Sequence, residues 1–139
     1  MARYDKYDPY DGGYRAYLAA DWDPDDVGKP FGVGHDATGR LVKGSGVSGM
    51  KGVLVLTRAH KVRDGQVDVM TDGCITDWGS TAGEPGVDFG QPGSNYYADP
   101  DDGVIVKRAV GAEVTGEYYI GHTVEGDRLE VRFNQVAVV

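Results

Sequence analysis

The chain has 139 residues, a formal net charge of −8 and a single cysteine, Cys74. That length fits one domain. The charge opposes nucleic-acid binding by phosphate neutralisation and adhesion to anionic membranes, while one cysteine permits neither an intramolecular disulfide nor a cysteine zinc site.

The first 22 residues hold Tyr4, Tyr7, Tyr10, Tyr14, Tyr17 and Trp22, interleaved with Asp5, Asp8, Asp11 and Asp21. Pro9 and Gly12-Gly13 interrupt the three-residue step of the first tyrosines, and no strand alternation replaces it. The segment is too polar for a secretion signal, so synthesis and folding in a cytoplasm are expected. It is also too aromatic for a solvated tail. Amphipathic rings suit interfaces, so residues 1–26 read as an extended arm that orders on another protein surface. The alternative is a flexible or locally tucked terminus.

From residue 27 to 139 the pattern is that of one β-domain. Phe31–His35 and Arg40–Lys43 flank Asp36-Ala37-Thr38-Gly39, a hairpin turn sequence. Gly52–Arg58 is a continuous apolar run, the mark of a strand buried on both faces. Gln66–Thr71 and Cys74–Trp78 follow, separated by Asp72-Gly73. Residues 79–103 have six glycines, three prolines and no sustained period, so they read as a long loop available for contacts. Val104–Val110, Glu117–Val124 and the cleanly alternating Arg128–Phe133 add strands, and Val136–Val139 a short final one. The helical alternative at Asp11–Ala20 is weak. Glycine, 22 residues in all, punctuates these runs. The expected fold is all-β: a small Gly-rich barrel or sandwich with an N-terminal arm.

Chemistry-bearing patterns mostly fail on context. Gly44-Ser45-Gly46-Val47-Ser48-Gly49 spells GxGxxG, but a strand follows where a phosphate site needs a helix. Asp21, Asp23 and Asp25 open like a calcium loop, yet Asp26 stands where Gly is required and Gly32 where Glu is required. Asp99, Asp101 and Asp102 are read as solvated turn carboxylates. His35, His60 and His122 are scattered without metal spacing. Cys74 is expected as a buried structural thiol. Neither catalytic residues, nor a cofactor, nor a metal are expected.

Residues 1–16 (MARYDKYDPYDGGYRA) and 52–77 (GVLVLTRAHKVRDGQVDVMTDGCITD) resemble the head decoration proteins of tailed bacteriophages, the actinobacteriophage type above all. The resemblance implies a β-tulip-like capsid-cementing protein on the outer surface of the virion. Its partner would be the phage major capsid protein, bound as a homotrimer at local three-fold sites, with no nucleic-acid or membrane partner. Tyr4, Tyr7, Tyr10, Tyr14, Tyr17 and Trp22 would be the capsid-binding residues of the arm. Phe89, Tyr96 and Tyr97 of the long loop are candidate oligomer contacts. The alternative is a phage surface or tail-associated module that binds carbohydrate or host, using that loop.

Overall fold

The computed structural model describes residues 7–9, 13–20, 22–26, 29–56, 66–76, 93–125 and 128–139. These form strands β1 (Tyr7–Pro9), β2 (Gly13–Tyr17), β3 (Pro30–His35), β4 (Leu41–Lys43), β5 (Met50–Val55), β6 (Gln66–Met70), β7 (Asp72–Thr76), β8 (Asn95–Ala98), β9 (Ile105–Arg108), β10 (Tyr118–Glu125) and β11 (Arg128–Arg132), with a single 3-10 turn at Pro24–Asp26. One sheet runs β1-β7-β11-β10-β8-β9 and the other β2-β6-β5-β3-β4. All named strand pairs are antiparallel. The all-β expectation holds.

Period-2 alternation explains how the sheets meet. Val53 and Val55 of β5, with Met50 and Met70, pack against Ile75, Tyr96, Ile105, Ile120, Leu129 and Val131 of the six-stranded sheet. Leu54 and Leu56 point the other way, into a second core with Leu18, Trp22, Phe31, Val33, Leu41, Val67 and Val69. The five-stranded sheet is thus buried on both faces, as the unbroken apolar run of β5 requires. It achieves this by curling. Leu18 bridges Leu41, and the Ala19 N–H donates to the Leu41 carbonyl at 2.9 Å, so the ends of the two edge strands meet. The result is a half-barrel filled by its own side chains.

One end of the half-barrel is stoppered by Trp22, whose ring meets Phe31 edge-on at 5.2 Å. Lys43 Nζ lies 4.7 Å from the Trp22 ring centre and 4.2 Å from that of Phe31, and is paired with Asp26. Two loops lock the sheets together. The Gly32 N–H donates to the Gly103 carbonyl, Gly44 N–H to Gly32, and Ser45 N–H to Pro100, each at 2.8 Å. Gly103 sits at φ +73°, and a Cβ there would stand 2.2 Å from the Gly32 oxygen.

Three expectations are corrected. The expected arm of residues 1–26 does not stay apart from the domain: β2 is an edge strand, Leu18 is fully buried, and Trp22 is only 9% exposed. The physical reason is that Tyr14, Ala16 and Leu18 share one side of a strand, with Leu18 turned into the second core and Ala16 packed against it. The tucked-terminus alternative therefore describes residues 13–22, and the weak helix over 11–20 gives way to β2. Second, the 79–103 segment is not wholly a loop. Asn95–Ala98 is an inner strand whose four residues are too short a run to show a period beside so many Gly and Pro. Third, Val136–Val139 is not a strand, although Val138 exchanges 2.8 Å hydrogen bonds with Gly116 and Glu117.

A candidate interaction surface

Both faces of β2 meet side chains from the β3–β4 hairpin: Tyr14, on the side of Ala16 and Leu18, reaches His35, and Tyr17, on the opposite side, reaches Arg40. Asp36 builds the turn of that hairpin. Its carboxylate accepts the Thr38 N–H (2.9 Å), the Thr38 hydroxyl (2.6 Å) and the Arg40 N–H (3.0 Å). These bonds, the Thr38 hydroxyl foremost, hold the Asp36 carboxyl below its ordinary pKa. Gly39, at φ +86°, turns its carbonyl onto His35 Nδ1 at 2.7 Å. A carbonyl only accepts, so Nδ1 donates to it, and Nε2 shares a hydrogen bond with the Tyr14 hydroxyl at 2.6 Å. The two rings stack at 5.7 Å. Burial raises the Tyr14 pKa.

Arg40 leaves the same turn. Its guanidinium lies 5.5 Å from the centre of the Tyr17 ring, and Nη1 donates to the Leu18 carbonyl at 3.4 Å. Tyr14 and Tyr17 remain 38% and 47% exposed, which leaves both rings available to a partner. Arg15 pairs with Asp68 at 2.8 Å in the open, a contact worth little by itself. Beyond Leu18 the surface dips into a depression of about 250 Å³. Trp22 and Leu41 line it with Ala19, Ala20, Asp23, Val42 and Lys43.

The structure sorts the expected contact residues. Tyr14 and Tyr17 are both partly exposed, on opposite faces of β2. Tyr7 lies in β1, where its backbone is paired with Ile75. Tyr4, Tyr10 and Phe89 lie outside the described residues. Trp22 belongs to the core instead of a detachable arm. Tyr96 and Tyr97 are corrected as oligomer contacts: Tyr96 is fully buried between the sheets, and Tyr97 is buried edge-on against Tyr119 at 5.4 Å. Arg40 and His35 were not singled out from the sequence as contact residues. Their signal was the Asp36–Gly39 turn, which aims both at β2. A second exposed apolar set, Val110, Val114, Val136 and Val139, lies on the β9–β10 connection and the C-terminal segment that Val138 ties to it.

The remaining motifs are structural. Gly44, Gly46 and Gly49 all have positive φ and lead into β5, and Ser48 Oγ accepts the His35 N–H at 2.9 Å. Asp99 caps its own turn through the Asp101 N–H at 2.7 Å, and Asp102 accepts the Val104 N–H at 3.0 Å. Cys74 is buried on β7 and His122 pairs opposite Glu130 on β10, while His60 lies outside the described residues. Among the described residues there is no group of three metal-ligating side chains.

No protein-family model matches the chain, and no curated protein matches it. A solved chain from Mycobacterium phage Patience shares the fold, with a TM-score of 0.75 and 20% sequence identity over 96% of each chain.

Proposed function

We propose that this is a phage structural protein, and specifically a decoration protein that cements the outer surface of the expanded head. The observation that carries the reading is the likeness, along nearly the whole of both chains, to a mycobacteriophage chain. The two sequence blocks that resemble decoration proteins add to it. In the fold they are one unit, because β1 and β2 of the first block pair with β7 and β6 of the second. They therefore define how the half-barrel is joined to the six-stranded sheet. The role is mechanical, not catalytic: a protein that binds only the assembled shell stabilises it by mass action.

In this reading the major capsid protein is met by the exposed β2 tyrosines, Tyr14 and Tyr17, together with Tyr4, Tyr7 and Tyr10 of the segment that precedes them in sequence. Three copies assemble at a local three-fold position, each adding a modest interface that the shared lattice strengthens through effective concentration. The exposed valines around the β9–β10 connection are the apolar surface for contact between copies. Incubating the purified protein with bare expanded heads tests this. Saturable co-sedimentation, reduced severalfold by Tyr14→Ala with Tyr17→Ala, is expected. No binding to heads overturns the reading and favours a carbohydrate- or host-binding module.

A further inference from the structure

Five arginines lie among the described residues. Arg15, Arg108, Arg128 and Arg132 each hold a carboxylate. Arg40 has none within ion-pair distance among the described residues, yet it is the one that stacks on an exposed tyrosine and is steadied by the Leu18 carbonyl. Its Nη1 is 3.4 Å from the Leu18 carbonyl, in the peptide unit that joins Leu18 to Ala19, and Ala19 lines the depression over Trp22 and Leu41, so the guanidinium stands next to that end of the depression. Of the charged groups near it, Asp36 is hydrogen-bonded within the turn and feels the Arg40 charge without forming an ion pair, Asp23 accepts the Asp25 N–H at 2.9 Å, and Lys43 is paired with Asp26.

An oriented guanidinium with unused donors beside an apolar hollow is a two-point site: charge fixes a carboxylate, and the hollow takes the neighbouring side chain. We infer that this corner binds an extended acidic segment of the partner protein. An Asp or Glu carboxylate pairs with Arg40, and an adjacent aliphatic side chain enters the depression over Trp22 and Leu41. The inference deepens the capsid reading and rests on it for the source of the segment. It does not rest on it for the site.

The test uses the isotope-labelled full chain, titrated by nuclear magnetic resonance with acetyl-Gly-Leu-Asp-Gly-amide and with its Asn analogue. Amide shifts confined to residues 17–23 and 40–43 are expected, with the Asp peptide bound roughly three- to fivefold more tightly, the scale of an exposed ion pair. Arg40→Gln should bring the two peptides level. Absence of shifts at these residues, equal response to both peptides in the unaltered protein, or an unchanged preference in the variant overturns the site. Binding of bare heads by the same protein is measured in parallel. Peptide binding without head binding keeps the site and removes the capsid as the source of its ligand. Head binding without peptide binding removes the site and leaves the capsid reading standing.

Discussion

Replacing Arg108 by Ala is expected to destabilise the domain more than any exposed charge change. Arg108 grips Glu117 in two parallel bonds, Nε to Oε1 at 3.0 Å and Nη2 to Oε2 at 2.8 Å. The Glu117 side chain is only 4% exposed and that of Arg108 32%. Truncation leaves a carboxylate buried without its cation, which costs about 3–5 kcal/mol for a fully buried pair. The partial exposure of Arg108 places this case near the lower end, about 3 kcal/mol. For a domain of this size that lowers Tm by about 10 °C. Denaturant unfolding followed by circular dichroism measures the loss. The paired variant Arg108→Met with Glu117→Leu removes both charges and should recover most of it. A loss below about 1 kcal/mol, or a double variant no more stable than the single one, refutes the reasoning, since the pair would then behave as a surface contact.

Trp22→Ala should cost about 3–5 kcal/mol in the same assay, because it empties the end of the second core; near-neutral stability would return Trp22 to a detachable arm. Gly103→Ala combines a positive φ with a Cβ 2.2 Å from the Gly32 oxygen, and should lose at least about 2 kcal/mol or fail to fold; a variant as stable as the parent would mean the inter-sheet joint yields freely. Burial raises the pKa values of Tyr14, Tyr97 and Tyr119 in the folded state. Their contribution is fully present below the unfolded tyrosine value near 10 and is lost as pH rises through the raised folded values. Stability should therefore fall above about pH 10, and less steeply in Tyr14→Phe; an equally steep fall in that variant would exclude Tyr14 from the effect.

The strands of the body were legible because their burial follows period 2. Gln66–Met70 and Arg128–Arg132 alternate in sequence as they do in the sheets. The continuous run of β5 announced burial on both faces, although not that curling supplies the second face. That depends on Leu18 meeting Leu41, a long-range contact with no local trace. The N-terminal segment misled because interface and core use the same aromatic residues. Trp22 is amphipathic and flanked by aspartates, yet it stoppers the half-barrel with Phe31 and Lys43. Tyr96 and Tyr97 sit beside prolines and acids that suggest a surface loop, while the strand they form is an inner one. The candidate surface was half visible. Its tyrosines stood out, but the arginine and histidine that organise them come from a turn more than 20 residues away, and only folding brings them together.

The proposed cementing of a phage head is measured by differential heating of heads with and without the protein. Fully decorated expanded heads should disrupt at a higher temperature than bare heads. The increment should grow with occupancy and shrink with Tyr14→Ala and Tyr17→Ala. Equal disruption temperatures at full occupancy would mean that the protein does not cement the head.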